Sequence, residues 1–347
     1  MMYSSFLTII VPAIIAFVVT AAGTQFLMGY LYGAGVVGED RNKGKPTLLA
    51  SSGGLAVAFG IIVGVLVYAF GATFVFIPVT QALSTLLAVA LSITLISFIG
   101  FLDDINVKQQ RVASTGRKDI RKGLKQWQKP LLTFVGALPL MAINAGVSSV
   151  EIPFIGLVHL GLLYPLIVIP LAVIFVSNAF NLLGGFDGLQ PMTSLIASGG
   201  LFLYCLFYGG YIGTLVAALL FAAILAFLPF NLYRARILPG DSFTYAVGAG
   251  LVAVMVTGQA EAFGLIVFIP WIIEFFLHLR KRFHVNDLGV RQKDGTFKSP
   301  YGSKIYSLTH AVMNIKKATE QDVTLYISLF EAFFVVLAFL LKFAGLL

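Results

Sequence analysis

Asn178-Ala179-Phe180-Asn181-Leu182-Leu183-Gly184-Gly185-Phe186-Asp187-Gly188-Leu189-Gln190 closes one long hydrophobic run and precedes another. Inside this string an apolar segment yields abruptly to two asparagines, a carboxylate and glycines at 184, 185 and 188. Polar groups at the edge of a hydrocarbon layer are costly and usually functional. Asn178 and Asn181 lie three apart and share a face if the segment is helical. Glycine lets the backbone turn and approach a ligand closely. A helix end explains each residue singly, Asn as cap and Gly as terminator, but explains the whole string poorly.

The runs on either side set the class of protein. Hydrophobic residues make up 59% and charged residues 11% of the 347-residue chain, and mean hydropathy is +0.94. No soluble domain of this size has that composition. A spanning helix needs about 20 apolar residues, which gives spans near 5–29, 50–71, 81–102, 131–146, 161–183, 191–208, 211–229, 242–258, 261–279 and 323–346. The segment from Ser5 to Gly29 is too long for a signal-peptide core and is read as a retained span. The single cysteine, Cys205, excludes an intramolecular disulfide. The net charge of +8 points to loop topology and to anionic ligands or lipids, with no role for nucleic acid.

Basic residues segregate sharply. The loops after the first, third, fifth, seventh and ninth spans hold 22 of the 23 Lys and Arg residues, the other being Lys342 in the last span. This places those five loops, about 30–49, 103–130, 184–190, 230–241 and 280–322, in the cytoplasm with both termini outside. The expected fold is an all-α integral membrane protein with about ten transmembrane helices and one catalytic domain over 1–347, its active site on the cytoplasmic face. On the other face, Val150-Glu151-Ile152-Pro153-Phe154 has the pattern of a small hairpin.

The candidate chemistry lies in the basic loops. Lys43 and Lys45 follow Gly38-Glu39-Asp40-Arg41-Asn42, and Ser51-Ser52-Gly53-Gly54 opens the second span. Glycine and charge at a helix start suit anion binding. Span three ends in Asp103-Asp104, adjacent carboxylates that point about 100° apart on a helix and so serve different partners. Negative charge at a helix C-terminus opposes the dipole and calls for compensation. Lys129 stands where span four begins, and Trp127 reads as an interfacial anchor. Asp241, between Pro239-Gly240 and Ser242, enters span eight, where an N-cap is the plain alternative. The last loop carries Arg280, Arg282, His284, Arg291 and an Asp294-Gly295 step suited to a short hairpin. His278 and His284 are not spaced as an i, i+4 metal pair. His310 reads as a packing residue.

Asp103-Asp104, Lys129, the Asn178-to-Leu189 string and Gly240-Asp241, in that order, resemble the polyprenyl-phosphate N-acetylhexosamine-1-phosphate transferase superfamily, glycosyltransferase family 4. The superfamily includes the bacterial phospho-N-acetylmuramoyl-pentapeptide translocase and the eukaryotic dolichyl-phosphate GlcNAc-1-phosphotransferase, and the resemblance covers nearly the whole chain. It implies transfer of a sugar-1-phosphate from a UDP-N-acetylhexosamine to a polyprenyl phosphate, with release of UMP, Mg²⁺ (or Mn²⁺ in its place) as cofactor, and a homodimer. Gly184 stands where bacterial members carry the first Asp of Asp-Gly-x-Asp-Gly. A small residue there, Gly240-Asp241-Ser242-Phe243, and Gly38-to-Lys43 are similar to the archaeal and eukaryotic branch. Asp187 departs from the eukaryotic Asn. A bacterial His-x-His in the last loop is missing, and the eukaryotic Arg-His-Arg is not evident. Leu238 stands where relatives place Phe against uracil, and Asn231 matches a nucleotide-pocket Asn. The compact loops suggest an archaeal plasma-membrane protein.

The resemblance implies Asp241 and Asp187 as metal ligands, with Asp103, Asp104 and Lys129 as catalytic residues. It implies Asn178, Asn181, Gly188, Asn231, Lys43 and Lys45 on the nucleotide and phosphates, with the sugar-binding residues among Arg280, Arg282, His284 and Arg291. A bacterial-type undecaprenyl-phosphate transferase is the alternative within this class. A polytopic transporter is the alternative outside it, disfavoured because the polar residues crowd one end of the spans and no paired repeat is visible.

Overall fold

The computed structural model describes residues 2–44, 47–76, 82–105, 127–147, 149–152 and 156–347. Helix α1 (Met2–Gly33) leads through the hairpin β1 (Val37–Asp40) and β2 (Thr47–Ala50) to α2 (Gly54–Phe74) and α3 (Ala82–Ile105). Next come α4 (Gln128–Thr133) and α5 (Leu138–Ala142), joined by a 3₁₀ turn, and a second hairpin, β3 (Ser149–Ile152) with β4 (Gly156–His159). A π-helical turn over Tyr164–Val168 opens α6 (Ile169–Leu182), which is followed by α7 (Leu189–Tyr208), α8 (Tyr211–Asn231) and α9 (Gly240–Gly258). The chain continues through α10 (Glu261–Val267), α11 (Ile269–Leu279), a short hairpin of β5 (Val290–Arg291) and β6 (Phe297–Lys298), α12 (Leu308–Ile315) and α13 (Glu320–Phe343). Both hairpins expected at 150–154 and around Asp294-Gly295 are present.

Among the described residues, eight helical segments are long and apolar enough to cross a bilayer, and α10 with α11, bent by 55°, makes a ninth if counted as one span. The span expected at 131–146 differs. Its helical part runs from 128 to 142 and is broken into α4, the 3₁₀ turn and α5. At 1.5 Å per residue that run covers about 22 Å, short of a hydrocarbon core of about 30 Å. Pro130 and Pro139 each remove a backbone donor, and the Ser92 hydroxyl donates to Gly136 O inside the break.

Helix α9 is the centre of the bundle. Every residue from Ser242 to Val256 is buried, and α9 packs against α2, α3, α6 and α8. A helix apolar on all sides belongs in an interior. Small residues at 246, 248, 249, 250 and 253 let neighbouring backbones come close where no water-driven force draws helices together. Close approaches occur at Gly54 of α2, where a Cβ would collide with the Phe243 backbone, and at Gly100 of α3, where one would collide with the carbonyl of Asp241. The outer helices turn large apolar side chains outward, among them Phe6 and Ile14 of α1 and Phe333, Val336 and Leu340 of α13. That is the surface a bilayer would cover.

Gly240 has φ +72°, and a Cβ there would meet the Asp104 carboxylate and the Ser52 nitrogen. Gly345 has a similar φ of +70° with nothing within 4 Å. Gly345→Ala should therefore cost only the left-handed backbone penalty, about 1 kcal/mol. Gly240→Ala should lower the melting temperature in detergent clearly further; equal shifts would show that the Asp104 contact does not constrain this turn.

Candidate active site

Two groups of carboxylates, each gripping one lysine, form where α3, α6, α9 and α13 end or begin. The first group surrounds Lys129. Its Nζ lies 2.6 Å from Asp103 Oδ2 and 3.1 Å from Asp241 Oδ2. Asp103 is buried, at 5% exposure, whereas Asp241 is partly open. Asp104 faces elsewhere. Its Oδ1 accepts the Asp241 N–H at 2.9 Å, and its Oδ2 accepts the Ser52 hydroxyl at 2.7 Å and the Ser242 N–H at 3.3 Å. The first N–H groups of a helix have no intrahelical partner and carry the positive end of its dipole. Asp104 thus caps α9 from the end of α3, at the place where its own helix would disfavour a charge.

The second group surrounds Lys43. Its Nζ lies 2.6 Å from Asp187 Oδ2, 2.7 Å from Glu320 Oε2 and 3.2 Å from Asp40 Oδ2. Oxygens of Asp40, Asp187 and Glu320 lie within 4.8 Å of one another, and all three residues are buried. Asp187 also accepts the Ala235 N–H at 2.9 Å and donates its own N–H to Glu320 Oε1 at 3.0 Å. Burial raises the Asp187 pKa, and the Glu320 charge adds to the rise against the opposing Lys43 and Ala235 hydrogen bonds. Burial works against the charged form of Lys43, but hydrogen bonds to Asp187 and Glu320 outweigh it and its pKa stands above 10.5.

One segment joins the two groups. Asn231, at the end of α8, accepts the Gly188 N–H at 3.1 Å and donates to Ile237 O at 2.8 Å. Ala235 then meets Asp187, Leu238 N–H reaches Ala50 O at 2.8 Å, and Asp241 opens α9. Two cavities open beside this segment. One of about 610 Å³ is lined by residues including Lys43, Tyr233, Arg234, Arg291 and Glu320. The other, of about 350 Å³, is lined by residues including Asp40, Asp187, Asn231 and Leu238.

The residues singled out from the sequence distribute unevenly over this geometry. Asp103, Asp104, Lys129 and Asp241 meet in the first group, Asp187 and Lys43 in the second. The two expected metal ligands, Asp241 and Asp187, therefore sit with different lysines. Asn178 donates to Thr133 Oγ1 at 3.0 Å and ties α6 to α4, the helix carrying Lys129. Asn181 is half-buried on the last turn of α6. Gly188, with φ +75°, precedes the first residue of α7. Both ends of the Asn231 carboxamide are engaged within the protein. Lys45 lies outside the described residues, as do the loop lysines and arginines from Lys108 to Lys125.

Of the four last-loop candidates, Arg291 lines the 610 Å³ cavity, whereas Arg280, Arg282 and His284 line neither cavity. Arg280 donates to Ile305 O at 3.3 Å, and His284 Nδ1 pairs with Arg282 O at 2.8 Å. The loop is moored instead by His278, whose Nε2 lies 3.0 Å from both Glu274 Oε1 and Asp287 Oδ1. Glu274 also takes the Ser307 hydroxyl at 2.6 Å and the Leu308 N–H at 2.7 Å, at the start of α12. His310 packs as expected, buried with Nε2 3.0 Å from Asn286 O.

Sequence reasoning missed Asp40, Ser52 and Glu320. Thr319-x-x-Asp322 forms a capping box at the head of α13, a pattern readable from sequence. It would have moved the start of the last helix to Glu320.

The family model of Glycosyl transferase family 4 matches residues 86–259. A Saccharolobus solfataricus protein is 31% identical over 97% of both chains. The chain belongs to glycosyl transferase family 4. The Saccharolobus relative carries the provisional name UDP-N-acetylglucosamine–dolichyl-phosphate N-acetylglucosaminephosphotransferase. A Sulfolobus acidocaldarius protein with the same provisional name is 30% identical, again over 97% of both chains. A phospho-N-acetylmuramoyl-pentapeptide-transferase of Streptococcus mutans is 27% identical over 77% of each chain. The family match spans both Asp103-Asp104 and Asp241, and it includes the central string.

Two measurements probe this geometry without an activity assay. Asp104→Asn keeps an oxygen acceptor for α9, whereas Asp104→Ala removes it; the Ala variant should be the less stable by about 0.5–2 kcal/mol, read from unfolding in detergent. Lys43 has a folded pKa above 10.5, so its stabilising contribution is complete below the unfolded value and is lost as pH rises through the folded one. The stability gap between the unaltered chain and Lys43→Met should hold from neutral pH to about 10 and close above that. A gap that closes near neutrality would contradict the ion pairs.

Proposed function

We propose that this protein transfers N-acetylglucosamine-1-phosphate from UDP-N-acetylglucosamine to a dolichyl-type polyprenyl phosphate, releasing UMP. The product would be the first lipid-linked sugar of a glycan assembly pathway such as N-glycosylation. At the coarser level the chain is a multi-pass membrane enzyme, a phosphosugar transferase acting on polyprenyl phosphate. The observation that carries the transferase reading is the pair of lysine–carboxylate groups joined by residues 231–241 beside two polar cavities. The names of the two full-length relatives and the small residue at Gly184 support the sugar and the lipid. The segregation of basic loops supports a cytoplasmic site, and the compact loops support an archaeal plasma membrane.

Phosphoryl transfer demands positioning and neutralisation of charge more than covalent chemistry from the protein. An oxygen of the lipid phosphate attacks the β-phosphorus of the UDP-sugar. The bond from that phosphorus to the bridging oxygen breaks, and its electron pair leaves with UMP. Asp103, paired with Lys129 at 2.6 Å, accepts the proton of the lipid phosphate. Lys129 and Lys43 then offset phosphate charge as point charges. Arg291, on the cavity wall beside Lys43, is the last-loop residue placed to meet the sugar or its phosphate. Asn181 and Gly188 border the same string, and Asn231 fixes its backbone.

Three carboxylates face Lys43 and two face Lys129, a supply of hard oxygens that suits Mg²⁺ or Mn²⁺. We assign that ion to Asp241 and Asp187; when bound it would neutralise pyrophosphate charge. Asp241→Ala should abolish Mg²⁺-dependent UMP release, and Asp103→Asn should lower turnover by about 10²-fold or more. Near-normal rates would remove either residue from its role. A panel of UDP-sugars tested against dolichyl and undecaprenyl phosphate decides the substrates; preference for undecaprenyl phosphate with another sugar would favour the bacterial-type alternative.

A further inference from the structure

Glu320 has no role of its own in the reaction outlined above, yet it contacts Lys43, Asn42 and the Asp187 backbone at once. It lies in the first turn of α13, whose N-terminus is fixed by the Thr319–Asp322 capping box. It is 4% exposed. One carboxylate oxygen accepts the Asp187 backbone N–H at 3.0 Å and the Asn42 carboxamide at 3.4 Å; the other faces Lys43 Nζ at 2.7 Å. One turn further along α13, the Thr324 hydroxyl donates to the Asp187 carbonyl at 2.8 Å. The peptide groups on both sides of Asp187 are thus tied to α13, leaving its side chain aimed at Lys43 and at Ala235 N–H.

We propose that Glu320 is a positioning residue of the transferase site, which holds the Asp187 backbone and the Lys43 ammonium in register so that both present their charge to the UDP-sugar. The role rests on the transferase reading above. A structural account alone would need only a hydrogen-bond acceptor at this place. A carboxylate supplies more: the second oxygen fixes where the ammonium stands. Burying a charge without partners is costly, and here Lys43, Asn42 and Asp187 N–H together satisfy both oxygens.

Glu320→Gln separates the two parts of this role. The amide oxygen still accepts the Asp187 N–H, but the negative charge on Lys43 is lost. The full-length protein in detergent should keep its melting temperature within a few degrees. Its turnover of UDP-N-acetylglucosamine should fall by about 10- to 100-fold, the range seen when an outer partner of a site carboxylate is removed. KM for the lipid phosphate should stay unchanged, because the Lys129 group is untouched. The second readout needs no activity: acylation of Lys43 by an amine-reactive ester, followed by mass spectrometry, should be several-fold faster in Glu320→Gln. Glu320→Ala should lose both contacts and fall further in turnover.

Turnover and Lys43 labelling within twofold of the unaltered chain in Glu320→Gln would overturn the proposal. So would a loss of turnover that merely tracks loss of folded protein while Lys43 labelling stays unchanged. If the unaltered chain releases no UMP from any UDP-sugar, the transferase reading fails separately. The labelling arm would then stand alone, and unchanged labelling would again overturn the hold of Glu320 on Lys43.

Discussion

The contact on which the other features depend is the carboxylate of Asp104 against the first N–H groups of α9. α9 is buried from Ser242 to Val256, and the first N–H groups of its N-terminus, which have no intrahelical partner, find one within the protein. Supplying it from the end of α3 fixes the two helices end to side, and Gly100 and Gly240 remove the atoms that would keep them apart. Asp103, next in sequence, is then directed at Lys129, and Asp241, the capped residue, is drawn to the same ammonium. A single capping interaction thereby arranges the first charge group.

The second group is built by a different means. Lys43 comes from a hairpin loop, Asp187 from the turn between α6 and α7, Ala235 from the segment before α9 and Glu320 from the head of α13. None of these positions is regular helix interior. Each is fixed by a hydrogen bond to another, and the 231–241 segment carries the register from this group to the first. The strap is held at Gly188, Ala50 and Asp104 and runs from one group to the other.

Much of this was legible before any coordinates. Charges interrupting long apolar runs are few, and Asp103, Asp104, Lys129, Asp187 and Asp241 stand out because a bilayer makes them expensive. Their convergence follows from alternation of the spans. What could not be read was pairing. Nothing local told Asp104 from Asp103, or joined Lys43 to Glu320 across the length of the chain. Asn231 and Asn178 attracted attention as ligand-facing amides, yet the fold spends them on Gly188 and Thr133. Apolarity alone also made 131–146 a full span, whereas prolines and a 3₁₀ turn break it. The cationic candidates of the last loop divided because a hairpin carries Arg291 to the cavity and leaves Arg280 and His284 behind.

The Lys43–Glu320 pair spans 277 positions in sequence, with a consequence for biogenesis. Helices inserted one after another can complete the Lys129 group as soon as α9 is in place. The Lys43 group stays open until α13 enters the membrane. Until then Lys43 lacks one of its three carboxylates, and neither peptide group of Asp187 has its partner on α13.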